Sequence, residues 1–180
     1  MNTLCNSIAN WCKKNGAVSE EDYPIVLYGI QVSLNSSLKL SGILLIGILL
    51  HHFWTVFISM TVFCSMRYWT GGWHSKSHLG CFCTMLIPCL APSLLMGLDG
   101  ECAVWILSGM MIYSVYRVLR YAPCNSKVNP IEDTKYLRRK RIGSIIEIVG
   151  LLIAMLIYSD TEIGWLVILP TYVNAVMLTF

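Results

Sequence analysis

Two histidines and a cysteine stand close together between two long apolar runs: His74, His78 and Cys81, in GGWHSKSHLGC at residues 71–81. Imidazole and thiol at this spacing offer three readings. On one continuous helix the three positions (i, i+4, i+7) share a face and could ligate a metal such as zinc, which both groups suit. As a nucleophile and its base, a histidine takes the thiol proton and the thiolate attacks a carbonyl. The third reading is a polar turn between apolar helices. A straight helix separates His74 from Cys81 by about 10 Å along its axis, too far to share a proton. The nucleophilic reading therefore requires a bent backbone over 74–80, with Cys81 near the start of the next helix. Gly71, Gly72 and Gly80 permit that bend. The glycines before His74 also count against a continuous helix, and no fourth metal ligand lies nearby in sequence. A helix N-terminus and a neighbouring imidazolium both favour a thiolate.

The elements around this stretch must be membrane helices. Of the 180 residues, 56% are hydrophobic and 13% charged, against about 25% charged in a soluble domain. A spanning helix needs about 20 mostly apolar residues. Residues 79–98, 102–119, 142–158 and 163–179 approach this. The run 38–67 is too long for one straight span, and His51-His52 interrupt it, so two short helices are expected at about 38–50 and 53–67. Arg120, Lys127, Lys135, Arg138, Arg139, Lys140 and Arg141 cluster between the fourth and fifth membrane segments. By the positive-inside rule that loop is cytoplasmic. Counting along the chain then leaves no Lys or Arg in any outer turn. Both ends fall inside, and so does the 68–80 stretch.

The expected fold is all-α: a polytopic membrane helix bundle of about six membrane helices, two of them short, with an N-terminal amphipathic helix. It forms a single domain over 1–180. An amphipathic region (1–36) is followed by a helical hairpin (38–67), a cytoplasmic active-site loop (68–80), two spans (79–119), a basic cytoplasmic loop (120–141) and two more spans (142–180). Leu4, Ile8 and Trp11 recur at helical spacing, as in an interfacial helix. Residues 1–24 lack the apolar core of a secretory signal. The eight cysteines do not read as a disulfide framework, because several sit in apolar runs or on the cytoplasmic side. Glu147 is an ionisable residue within a span, which by default suggests function, although a basic neighbour could simply pair with it.

R-x4-G-x-H-x6-C, present as Arg67, Gly72, His74 and Cys81, resembles the signature of the accessory gene regulator protein B (AgrB) family. YGIQ at 28–31 resembles its N-terminal element, and YAPCNSKVNPI at 121–131 with LRRKR at 137–141 resembles its basic loop. The resemblance covers essentially the whole chain. It implies a bacterial membrane cysteine endopeptidase that cuts a small AgrD-like precursor peptide and cyclises its signal portion into a thiolactone or lactone for quorum sensing. Cys81 would be the nucleophile and His74 the base. Arg67 and Gly72 would be required, Gln31 would take a supporting part, and Lys127 would lie in a loop associated with processing. The precursor peptide and the lipid bilayer are the expected partners, and the family is described as dimeric. No cofactor, metal or nucleic acid is expected. The competing readings are a metal-dependent membrane enzyme using His74, His78 and Cys81, and a non-catalytic membrane transporter or scaffold.

Overall fold

The computed structural model describes residues 2–72, 78–98, 100–124, 133–157 and 161–179. Its described residues form seven α-helices and a short 3-10 turn, with no strand beyond one isolated bridge. The helices are α1 (Asn2–Lys14), α2 (Tyr23–Leu49), α3 (Phe53–Thr70), α4 (His78–Leu95), α5 (Glu101–Tyr121), α6 (Thr134–Ile157) and α7 (Thr161–Val176), with the 3-10 turn at Met177–Thr179. The chain divides into two compact units, Met1–Leu45 and Ile46–Phe180.

In the N-terminal unit, α1 presents Leu4, Ile8 and Trp11 on an exposed apolar face. Lys13 pairs with Glu20 at 2.7 Å, and the Tyr23 hydroxyl donates to Asn10 Oδ1 at 2.9 Å. Ser19 caps the entry to α2: its Oγ accepts from the Asp22 N–H at 3.1 Å and donates to Asp22 Oδ2 at 2.7 Å. Pro24 follows at the second helical position, where a missing N–H costs little. The short helix expected at about 38–50 is instead the end of a 27-residue helix beginning at Tyr23. The polar residues in SLNSSLK (33–39) do not break the helix. Ser41 Oγ donates to the Leu38 carbonyl at 3.1 Å, satisfying itself on the helix backbone.

The larger unit begins with the end of α2 and a tight turn. His51 takes a left-handed conformation (φ 58°), and the His52 N–H donates to the Gly47 carbonyl at 2.8 Å. The turn thus falls on the histidine pair. In the bundle that follows, α7 packs against α3, α4, α5 and α6, and α3 packs against α4 and α6. On α5, Ala103, Leu107, Met111, Ser114 and Val118 face inward at helical spacing. Met66, Ile148, Trp165 and Ile168 complete the core with them. The outward faces remain apolar: Leu94, Trp105, Ile112, Ile146 and Leu156 are all well exposed. Several buried positions are instead polar, namely Ser59, Thr70, Ser114, Ser144, Thr171 and Asn174. An apolar exterior around a partly polar interior suits a lipid environment. α2 and α5 are long and apolar enough to cross a membrane, and α4 and α7 contain shorter apolar stretches.

Candidate functional site

The site is built at the C-terminal end of α3. The Gly71 N–H closes the last turn on the Arg67 carbonyl at 3.0 Å, and the chain then leaves the helix through two left-handed residues, Gly71 (φ 68°) and Gly72 (φ 113°). L side chains rarely adopt such angles. The second reason for glycine is space. A Cβ on Gly71 would lie 2.7 Å from the Cys124 carbonyl oxygen, and one on Gly72 would lie 2.7 Å from Arg67 Nη1 and 3.1 Å from the Met177 carbonyl oxygen. The segment Ala122–Cys124 crosses this end of α3. The Cys124 N–H donates to the Thr70 carbonyl at 2.8 Å, and Gly71 and Cys124 form a parallel bridge. The YAPC element at the end of α5 is thereby stitched to the start of the GGWH stretch.

Arg67 turns back beneath Gly72. Its Nη1 approaches Met177 Sδ at 3.8 Å, and its guanidinium lies within Coulomb range of the Cys81 and Cys124 sulfurs. Cys81 is partly buried in the first turn of α4. Its own carbonyl accepts from Thr84 Oγ1 at 2.9 Å. The structure therefore brings Arg67, Gly72 and Cys81 to one end of the bundle. His74 and Lys127 lie outside the described residues. His78 is the first residue of α4. Gln31 belongs to the N-terminal unit, half-buried on α2. Among the described residues no group of three or more His, Cys, Asp or Glu is placed to hold a metal ion, although His74 is not among them.

Two supporting features escaped the sequence reading. Thr70 and Asn174 are fully buried. The Thr70 hydroxyl has one proton to give, with the Met66 carbonyl (2.7 Å) and Asn174 Oδ1 (3.0 Å) as acceptors, and Asn174 Nδ2 reaches the Phe63 carbonyl at 3.5 Å. This network fixes the last turns of α3 to α7, directly below Gly71. A lone asparagine in an apolar run was the available signal. Arg117 donates to the Tyr113 hydroxyl (3.0 Å) and the Val176 carbonyl (3.3 Å), and lies over the rings of Tyr113 and Tyr121. It ties α5 to the end of α7. Its tyrosines four residues to either side were the trace it left in sequence.

The fold is a helical bundle with an apolar exterior that carries an arginine and a thiol at one end. The chain belongs to the Accessory gene regulator B family, AgrB, whose profile matches residues 5–179. Neither the curated proteins nor the solved structures provide a match. Membership makes this a membrane protein of autoinducing-peptide processing, with a peptide precursor as its partner.

Proposed function

We propose that the protein is a membrane-embedded cysteine endopeptidase that cleaves its precursor peptide through a thioester on Cys81. The observation that carries this reading is the gathering of Arg67, Gly72 and Cys81 at one end of the bundle, with the arginine within electrostatic range of the cysteine. In the proposed sequence, His74 takes the thiol proton and Cys81 attacks a precursor carbonyl. The tetrahedral intermediate collapses as His74 returns a proton to the leaving amine. The C-terminal fragment departs. A side-chain thiol or hydroxyl of the precursor then attacks the thioester, releasing a thiolactone or lactone and the free Cys81 thiol. Exchange between thioesters is nearly balanced in free energy, so no nucleotide is needed, but water must be kept from the acyl-enzyme. A site within an apolar bundle suits that demand. Arg67 binds a precursor carboxylate or the developing oxyanion. Gln31 supports the site and Lys127 contacts substrate.

The direct test is capture of the acyl-enzyme. Brief incubation with precursor should give a hydroxylamine-labile adduct that peptide mapping places on Cys81. An adduct on another residue, or release of products with no adduct under rapid quench, counts against this route.

The same proposal holds the chain to six membrane helices, with both ends and the site in the cytoplasm, working as a homodimer. It makes a separate prediction at Cys102, which is exposed at the start of α5. A variant retaining only Cys102 should react with a membrane-impermeant maleimide on intact cells. One retaining only Cys124 should react only after permeabilisation. The reverse pattern would invert the topology.

A further inference from the structure

Glu147 takes no part in the chemistry proposed above, yet it lies in an open groove of about 360 Å³ between α3 and α6, lined mainly by Ser65, Trp69, Arg139, Ile142, Ile146 and Glu147 itself. Its carboxyl group lies near the Ser65 side chain. One of its oxygens, Oε2, is buried and has no hydrogen-bond partner. Buried carboxyl oxygens are normally satisfied, and leaving one unmet within a membrane helix is costly. Arg139 does not satisfy it. It lies eight residues earlier on α6, about 12 Å along the axis, and the ion pair found among the described residues is Lys13–Glu20. The walls are an indole and two isoleucines. Trp69 lies so close to the α6 backbone that a methyl group on Gly143 would overlap its ring.

We infer that this groove is the subsite for a basic side chain of the precursor peptide. An ammonium or guanidinium group supplies both the donor and the charge that Oε2 lacks. The apolar walls cover its methylene stem, and Trp69 offers an aromatic face to the cation. A zwitterionic lipid headgroup fits less well. Its amine sits beside or outside its phosphate, whereas here the carboxylate oxygen Oε2 is buried and Arg139 is exposed. Ser65 and Trp69 stand two residues to either side of Arg67, about 200° around α3. The subsite and the reacting end therefore occupy opposite sides of the same helix end. The path around the helix, about 10–12 Å in diameter, is on the order of 16–19 Å, which about five or six residues of extended peptide can cover. This inference rests on the peptidase reading for its ligand but not for its binding test.

The test uses the full-length protein in neutral detergent, with octylammonium and octylguanidinium as probes and octanol and octanoate as matched controls. Both cations should raise the thermal midpoint of the wild-type protein and of Cys81→Ala alike. Glu147→Gln keeps the shape and should fold normally, but bind the cations about tenfold more weakly or worse. Octylammonium should also raise the KM for precursor cleavage without changing kcat. Equal cation binding by Glu147→Gln, or equal binding of octanoate or octanol, overturns the site. An unmoved KM, or displacement of the probe by phosphatidylethanolamine, overturns the precursor as its occupant. Because the binding arm survives Cys81→Ala, failure of the subsite is distinguishable from failure of the thioester route.

Discussion

Cys81→Ala is expected to abolish precursor cleavage, by at least about 10³-fold, while the protein still accumulates in the membrane. The side chain is only partly buried and lies on an early turn of α4, so its loss should barely disturb packing. His74→Ala should cost about 10²–10⁴-fold as the base is lost. The matched control is Cys83→Ala. Cys83 lies two residues on, about 200° around the helix, and is exposed where Cys81 is not. It should retain full activity. Cleavage by purified Cys81→Ala, or its loss in Cys83→Ala, would move the nucleophile elsewhere.

The placement of Arg67 bears on why such a site needs a bundle at all. A guanidinium in water is screened and mobile, and its attraction for a sulfur or a carbonyl oxygen is small. Here it is half-buried, held against Met177 and roofed by Gly72. Its charge is thus fixed before substrate arrives. Preorganised charge in a water-poor setting costs little reorganisation during reaction. On the proposed route, the same exclusion of water would protect the thioester long enough for an internal nucleophile to reach it.

Much of this architecture was legible in local patterns. Continuous apolar runs marked the helices, and His51-His52 marked a break because two polar residues interrupt such a run where the chain turns. Gly71-Gly72 announced irregular backbone before His74, and both glycines take positive φ. The start of α2 was not legible. Hydropathy falls over residues 33–37, but helix hydrogen bonds belong to the backbone and continue through serine and asparagine. Pairings distant in sequence were also hidden. Nothing local joins Thr70 to Asn174, 104 residues away, or lays the carbonyl of Cys124 over Gly71. Arg67, Gly72 and Cys81 could be named from a family pattern. That Met177 and Cys124 complete their surroundings follows only from how α7 and the end of α5 meet α3.

Those surroundings make Gly72→Ala the most informative single methyl group. At φ 113° an alanine is strained, by about 1–3 kcal/mol. Its Cβ would also sit 2.7 Å from Arg67 Nη1 and 3.1 Å from the Met177 carbonyl oxygen. The backbone is held by the Cys124–Thr70 hydrogen bond, so the flexible end of Arg67 is the part that yields. A displacement of about 1 Å in a positioning group can cost on the order of 10²-fold in rate. Cleavage by Gly72→Ala should fall by about that factor, with Cys81 still open to alkylation and the protein still folded. Gly150→Ala is the control: no atom stands within 4 Å of its added methyl group, and alanine favours a helix interior. Normal cleavage by Gly72→Ala would show that Arg67 has no positional part in the reaction. Equal losses in both variants would point instead to general destabilisation of the bundle.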